Sequence, residues 1–140
     1  MFPILSTLII LPLIGSLFLI FIISSEKNTS LKYVGLFITV ANFFLSIYLW
    51  KDFDPSISTF QFVENRIWIE GFINYKVGID GISILFVILT TFITPLCIIS
   101  VNSTITYRLK EFLIAILIME TLMIGVFCSL DLVIFYLFFE

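Results

Sequence analysis

Long apolar stretches with almost no charged side chains are the feature that most restricts what this chain can fold into. Crossing roughly 30 Å of hydrocarbon at 1.5 Å per residue takes about 20 apolar residues in a helix. Such runs fit a lipid interior better than a short soluble domain, which leaves much of its surface exposed. The sequence therefore predicts four membrane-spanning helices, at residues 2–23, 33–50, 77–101 and 112–128.

The composition of the chain agrees with a membrane environment. Of 140 residues, 61% are hydrophobic and only 12% are charged, whereas soluble domains carry about 25% charged residues. The predicted fold is an all-α, polytopic transmembrane helical bundle whose surroundings are the lipid bilayer. A net charge of −3, spread over short loops, gives no sign of a nucleic-acid partner.

The apolar sequence continues beyond residue 128 to the last residue. We place a break at Ser129-Leu130-Asp131 and predict a fifth helix over residues 130–140. A helix of this length rises only about 16 Å, too little to cross a bilayer. The sequence thus predicts that residues 1–140 are the N-terminal part of a single larger transmembrane domain, whose fifth helix is incomplete.

A polar loop, residues 51–76, separates the second and third predicted helices. Its stretches 60–62 and 66–70 carry β-branched and aromatic residues on either side of Glu64-Asn65, which favours a short hairpin outside the membrane. Loops 24–32 and 102–111 each carry two Lys or Arg residues, and short basic loops are typical of the inner side. We therefore expect the N-terminus and the hairpin outside, with a capping or partner-contact role for the hairpin.

Two carboxylic acids, Glu120 and Glu140, lie within apolar sequence. A charged carboxylate at bilayer depth costs at least a few kcal/mol, and such residues usually mark an ion or proton path. Glu120 lies about 12 Å along its predicted helix and Glu140 about 15 Å along the next, so antiparallel helices would bring both near the midplane. Groups that can be charged or neutral at modest cost suit a proton relay. Tyr136, one turn before Glu140, is placed to hydrogen-bond to it.

Each acid also has a structural interpretation. Glu120 or Glu140 would fix helix packing by pairing with a basic residue on another helix. Asp131 and Asp80 each precede a predicted helix, where a carboxylate pairs with free amide groups and favours the helix dipole. The sequence leaves Asp131 open between a helix cap and a member of the proton path.

The sequence contains no motif for a metal or a redox cofactor. It has no histidine, no Cys-x-x-Cys pair, no Gly-rich phosphate loop and no dinucleotide fingerprint. The two cysteines, Cys97 and Cys128, lie in apolar runs, where we expect free thiols. Any redox cofactors would therefore be held by other chains.

Four stretches of the sequence resemble a known family. They are residues 75–83 (YKVGIDGIS), 89–92 (LTTF), 124–127 (IGVF) and 131–140 (DLVIFYLFFE). They look like the antiporter-like proton-channel subunits of respiratory complex I, and most like chain M of bacterial NADH-quinone oxidoreductase, the counterpart of mitochondrial subunit 4. The aromatic run that ends in Glu140 is the more specific signal, and the resemblance covers residues 75–140 well.

The resemblance implies a function and a set of partners. It implies a membrane subunit of NADH:quinone oxidoreductase that couples quinone reduction to proton translocation, in the bacterial inner membrane or, alternatively, the mitochondrial inner membrane. Glu140 would be a key protonatable residue that pairs with a lysine on a later helix, and Glu120 occupies a position where relatives carry Glu or Gln. NADH, FMN, iron–sulfur clusters and quinone would bind to partner subunits, and the chain would work beside the other membrane subunits of complex I rather than alone.

The resemblance leaves two other families open as alternatives. One is the D-type subunit of a multisubunit sodium/proton antiporter, and the other is a membrane subunit of an energy-converting hydrogenase. A third interpretation is a membrane scaffold that conducts no ions. Replacement of Glu140 by Gln distinguishes this last interpretation, because a scaffold would leave the host complex fully active.

Overall fold

The structure, a computed structural model, describes residues 2–21, 28–101, 105 and 107–140. The described residues form five α-helices and one two-stranded sheet. In chain order the elements are α1 (Ile4–Phe21), α2 (Asn28–Lys51), β1 (Gln61–Ile69), β2 (Ile73–Ile79), α3 (Gly81–Ser100), α4 (Leu109–Cys128) and α5 (Leu132–Phe139). Helices α1 to α4 are each long and apolar enough to cross a membrane. The predicted transmembrane bundle with four spans, a short fifth helix and a small hairpin is confirmed.

Two of the spanning helices begin earlier than their apolar runs. Helix α2 begins at Asn28 instead of residue 33, and α4 begins at Leu109 instead of residue 112. Apolarity marks only the part of a helix that lies in hydrocarbon, whereas the backbone hydrogen bonds continue into the polar interface. Residues 24–27, 102–104 and 106 of the two basic loops lie outside the described residues, as do residues 22–23 at the predicted end of the first helix. The orientation of the chain stays a prediction.

The predicted start of the third helix, at residue 77, is wrong. Val77 to Ile79 belong to strand β2, and α3 begins at Gly81. The helix begins there because the Asp80 side chain accepts a hydrogen bond of 2.7 Å from the backbone N–H of Ser83. The hydrogen bonds from Ser83 also hold the pKa of the Asp80 carboxyl below its usual value. Asp80 is thus a helix cap.

The hairpin is confirmed, but its predicted centre at Glu64-Asn65 is wrong. The antiparallel register pairs Glu64 with Val77 and Ile69 with Ile73, so the chain reverses at residues 70–72. Gly71 has φ +78° there, a conformation that residues with a side chain rarely adopt. The turn follows this glycine, while Glu64-Asn65 lies inside the nine-residue strand β1.

The hairpin lies at the end of the bundle where α1 begins. The backbone N–H of Leu5 donates to the Glu64 carboxylate across 3.0 Å. At the other end of α1, Lys110 Nζ donates to the backbone carbonyl of Ile20 across 3.0 Å. A cation at a helix C-terminus and an anion at its N-terminus are both favoured by the helix dipole. The start of α1 and the hairpin therefore share one side of the molecule, as predicted.

Buried apolar side chains form two clusters along the bundle. One lies toward the hairpin and contains Leu5, Leu8, Val87 and Ile124 among its fully buried members. The other lies toward the opposite end and contains Leu19, Leu31, Ile98, Leu113 and Leu117. Many large apolar side chains on the outer faces are exposed, such as Phe37 and Phe44. An outer surface of this kind is what a lipid environment requires.

Helix α5 turns back against the end of α4. The backbone N–H of Leu130 donates to the carbonyl of Lys76 across 2.9 Å, which ties the connecting segment to strand β2. Asp131 then caps α5 by accepting from the N–H of Val133 across 2.8 Å. The break at residues 129–131 is confirmed, with the helix over Leu132–Phe139 rather than residues 130–140. Gly125 of α4 allows this packing, because a Cβ atom there would lie 2.6 Å from the Phe138 ring.

Candidate functional site

Glu120 is an acidic side chain buried in the interior of the helical bundle. Its side chain lies on α4 and the residue is 1% exposed. Asn42 of α2, which is fully buried, donates from Nδ2 to Glu120 Oε1 across 2.8 Å. Glu120 Oε2 and Asn42 Oδ1 are buried and have no hydrogen-bond partner among the described residues. Helices α2 and α4 thus meet at an acid–amide pair joined by one hydrogen bond. Each side chain of the pair keeps one oxygen without a hydrogen-bond partner in the described part of the chain.

Asn42 is part of a buried polar stripe on α2. Thr39, Asn42 and Ser46 are all fully buried, and their spacing of three and four residues places them on one face of the helix. Thr39 Oγ1 donates to carbonyls of its own helix, at Gly35 and Leu36. Asn42 is the member of the stripe that reaches α4.

The stripe also reaches α3. Ser46 Oγ lies 2.7 Å from Thr91 Oγ1, a hydroxyl pair between α2 and α3. Thr90, Thr91 and Thr94 each donate to a carbonyl earlier in α3. Polar side chains between membrane helices commonly hold helices together in this way. The polar stripe on α2 therefore contacts α4 through Asn42 and α3 through Ser46.

Glu140 and Tyr136 lie in a different environment from Glu120. Glu140 follows the last residue of α5, and its backbone N–H donates to the carbonyl of Tyr136 across 2.9 Å. Both side chains are exposed, Tyr136 by 63%. No hydrogen bond joins the side chains of Glu140 and Tyr136, or those of Glu140 and Glu120, within the described part of the chain. The structure encloses Glu120 against α2 and leaves Glu140 on the outside of the described bundle.

Asp131 is a helix cap in this structure. Its side chain accepts the hydrogen bond from Val133 that begins α5. This geometry accounts for an acid at that position without a role in a proton path. The structural interpretation offered by the sequence is confirmed, and a role for Asp131 in the proton path stays a prediction.

A further carboxylate, Glu64 of β1, was not predicted from the sequence. Glu64 Oε1 accepts from the backbone N–H groups of Leu5, at 3.0 Å, and Ser6, at 3.3 Å. Glu64 Oε2 accepts from the Ser6 hydroxyl, whose oxygen lies 3.0 Å from the Tyr75 hydroxyl. The first N–H groups of a helix lack partners within the helix. Glu64 supplies those partners from a position 58 residues along the chain from Ser6, so no local pattern could reveal it.

Tyr75 completes the cluster at the start of α1. Partial burial raises the pKa of the Tyr75 hydroxyl, the nearby negative charge of Glu64 raises it further, and the hydrogen bond with Ser6 acts in the opposite direction. The pKa of Tyr75 lies above its usual value on balance. This cluster joins the hairpin to the first helix.

The described residues contain no group of three or more His, Cys, Asp or Glu side chains able to hold a metal ion. Cys97 is an exposed free thiol on α3, and Cys128 is a buried free thiol at the end of α4. Asn42, like Glu64, is a residue that the sequence analysis missed. Asn42 could have been noticed in the sequence because it is an amide inside the predicted span 33–50. Polar side chains are rare in such spans and usually face the bundle interior.

Comparison with known proteins identifies relatives over most of the chain. NADH-quinone oxidoreductase subunit M of Rhodobacter capsulatus is 54% identical over 117 residues, which cover 84% of this chain and 22% of the relative. NADH-ubiquinone oxidoreductase chain 4 of Arabidopsis thaliana is 48% identical over 137 residues, which cover 97% of this chain and 28% of the relative. NADH-quinone oxidoreductase subunit M of Rickettsia prowazekii is 45% identical over 141 residues, which cover 99% of this chain and 29% of the relative.

No protein-family model matches the chain. The chain spans about a quarter of the length of these relatives, between 22% and 29%. The relatives come from bacteria and from a plant, and the four apolar helices agree with a location in the membrane. Over nearly all of its own length, the chain is homologous to the family of NADH-quinone oxidoreductase subunit M and NADH-ubiquinone oxidoreductase chain 4, which confirms the resemblance seen in the sequence.

Proposed function

We propose that this chain is part of a membrane subunit of NADH:quinone oxidoreductase and that the subunit couples quinone reduction to proton translocation. The observation that carries the proposal is its 48% identity, over 97% of its residues, to a protein named as chain 4 of such an enzyme. Oxidation of NADH and reduction of quinone would occur on partner subunits that hold FMN, iron–sulfur clusters and quinone. This chain would contribute protonatable groups within the membrane.

The proposal assigns the protonatable role to Glu140 and Glu120. Glu120 supports it because a carboxyl group enclosed between helices, with one amide as its hydrogen-bond partner, has no capping contact that would explain it. Glu140 is assigned because it ends the aromatic run 131–140, which carries the most specific part of the resemblance. Tyr136, one turn earlier on α5, would extend the path.

The experiment that tests the proposal uses membranes that carry the full-length protein in its complex. Glu140→Gln removes the titratable group and preserves its size. We expect assembly to persist while quinone-linked NADH oxidation and proton pumping both fall at least tenfold. Glu111→Gln is the matched control, because Glu111 is an exposed acid that pairs with Arg108 across 3.6 Å at the start of α4. This control should keep both activities.

Other outcomes of this experiment would replace the proposal. Unchanged NADH oxidation and pumping, with loss of growth at high sodium concentration, would favour the sodium/proton antiporter. No change in any of these measurements would make Glu140 a structural residue.

A further inference from the structure

If Glu120 is ionised, the Asn42–Glu120 pair has too few hydrogen-bond donors for its oxygens. An ionised carboxylate accepts hydrogen bonds only, and a side-chain amide has one accepting oxygen and one donating nitrogen. The amide nitrogen donates to Glu120 Oε1, so the two atoms that remain, Glu120 Oε2 and Asn42 Oδ1, are both acceptors. Two buried acceptors without a donor are costly in a low-dielectric interior.

A single proton on Glu120 would complete this pair. A protonated carboxyl is one donor and one acceptor, which is the complement of an amide. With the proton on Oε2, the hydroxyl donates to Asn42 Oδ1 while Asn42 Nδ2 continues to donate to Oε1, and the two groups form a closed pair with two hydrogen bonds. The proton comes from water and forms an O–H bond at Oε2; no other covalent bond changes.

Few other ionisable groups near Glu120 could pair with its side chain. Helix α1 has no ionisable side chain over Ile4–Phe21, and α3 has only Cys97. On α2, Lys32 and Lys51 lie about 15 and 13 Å along the helix from Asn42. The remaining ionisable groups on the elements packed against α4 are Tyr33 and Tyr48 of α2, Tyr75 and Lys76 of β2, and Tyr136 of α5 with the α5 caps Asp131 and Glu140. Asn42 is the one hydrogen-bond donor that reaches the Glu120 side chain among the described residues.

We infer that Asn42 is a positioning residue for Glu120, and that the two side chains form a cyclic acid–amide pair that holds one proton between Glu120 Oε2 and Asn42 Oδ1. This inference deepens the proposed function, because it names the residue through which a buried carboxyl on α4 is held ready to bind and release a proton. It depends on the titration of Glu120 and not on the complex to which the subunit belongs.

Infrared difference spectroscopy tests the inference directly. Spectra of the full-length protein reconstituted in lipid are recorded between acidic and alkaline buffer, in H₂O and D₂O. A protonated carboxyl has a carbonyl band that shifts in D₂O, and Glu120→Gln identifies the band of Glu120 by its loss. Asn42→Leu should move this band to higher wavenumber, because a carbonyl that loses its hydrogen bonds absorbs at higher wavenumber.

The controls separate this pairing from general packing. Thr39→Val should leave the band in place, because Thr39 is an equally buried member of the same stripe and its hydroxyl bonds only to carbonyls of α2. If Asn42→Leu does not assemble, Asn42→Ser provides the same comparison, because the serine side chain is shorter and has one oxygen in place of the oxygen and nitrogen of the amide.

Two results would overturn the inference. A Glu120 band that stays in place in Asn42→Leu or Asn42→Ser would show that the amide does not hold the proton. The absence of any band that Glu120→Gln removes would show that Glu120 binds no proton in this range. The second result would also remove Glu120 from the proposed proton path. The coupling of quinone reduction to proton translocation is tested separately, by the pumping activity of Glu140→Gln.

Discussion

Two carboxylates that accept hydrogen bonds from another element of the chain, Glu64 and Glu120, differ in how completely their oxygens are paired. Glu64 accepts three hydrogen bonds from Leu5 and Ser6 at the start of α1, so both of its oxygens have donors. Glu120 accepts one hydrogen bond from Asn42, and its second oxygen has no partner among the described residues.

Under the inferred pairing of Glu120 with Asn42, the difference separates a carboxylate that holds structure from one that binds a proton without losing a hydrogen-bond partner. Loss of charge at Glu64 would weaken the hydrogen bonds that it accepts from the backbone N–H groups at the start of α1. A proton added to Glu120 would instead supply the donor that the second oxygen of Asn42 lacks. The number of hydrogen-bond donors around each carboxylate is the observed difference, and the variants below test whether the two acids differ in role.

The largest expected effect comes from truncating the fully paired carboxylate. Glu64→Ala removes three hydrogen bonds and leaves the start of α1 uncapped, so we expect the free energy of unfolding to fall by about 2–3 kcal/mol. Denaturant titration of the purified full-length protein measures this. Glu70→Ala, at an exposed acid in the turn of the same hairpin, should change it by less than about 0.5 kcal/mol. Equal losses in the two variants would contradict the capping role of Glu64.

The position of Glu140, at the end of α5, depends on the packing of α5 against α4. Gly125→Ala places a Cβ atom 2.6 Å from the Phe138 ring, which forces α5 away from α4. We expect a loss of about 1–3 kcal/mol in the free energy of unfolding, the usual cost of overpacking. Gly81→Ala is the reference, because a Cβ atom at Gly81 meets no atom within 4 Å. If both variants are equally stable, the contact with Phe138 does not fix α5.

Two substitutions of Glu120 separate its hydrogen bonding from its charge. Glu120→Gln preserves a donor and an acceptor opposite Asn42, so the free energy of unfolding should change by less than about 1 kcal/mol. Glu120→Leu leaves the buried Asn42 amide without a partner and should cost about 1–3 kcal/mol. Thermal or denaturant unfolding in detergent compares them. A larger loss of stability in Glu120→Gln than in Glu120→Leu would contradict the proposed pairing of Glu120 with Asn42.

The smallest effect is the pH dependence introduced by Tyr75. Its pKa is raised in the folded protein, so the unfolded chain loses this proton first as the pH increases. The stability that Tyr75 contributes is fully present below its unfolded pKa of about 10 and is lost as the pH rises beyond it. Tyr75→Phe should therefore flatten the decline in unfolding midpoint between pH 9 and about 11. The exposed Tyr107, substituted by Phe, should leave the decline as it is in the unmodified protein.

Features set by local chemistry could be predicted from the sequence. The apolar runs predicted the four spans. In hydrocarbon, a continuous apolar helix exposes only apolar side chains and forms all of its backbone hydrogen bonds internally. The break before α5 was also predictable, because Asp131 is a typical cap and accepts the N–H of Val133 as expected. The ends of the helices were less accurate, since interface residues such as Asn28 are polar and still helical.

Features set by contacts between distant residues could not be predicted. The Asn42–Glu120 hydrogen bond joins residues 78 apart, and α2 could have presented either its polar stripe or another face to α4. Glu64 likewise depends on the register of β1 against β2, which places it beside α1. The turn was misplaced because charged and amide residues at Glu64-Asn65 resemble a turn, whereas Gly71 provides the positive φ that the turn requires.

The most direct test of the contrast between the two carboxylates is proton pumping per NADH oxidised in the assembled complex, compared between Glu120→Gln and Glu64→Gln. The amount of assembled complex is measured in both. We predict that Glu120→Gln assembles normally and pumps at least severalfold fewer protons per NADH, while Glu64→Gln assembles less well and pumps normally for each complex that remains. Normal pumping in Glu120→Gln, or a pumping defect confined to Glu64→Gln, would contradict the account.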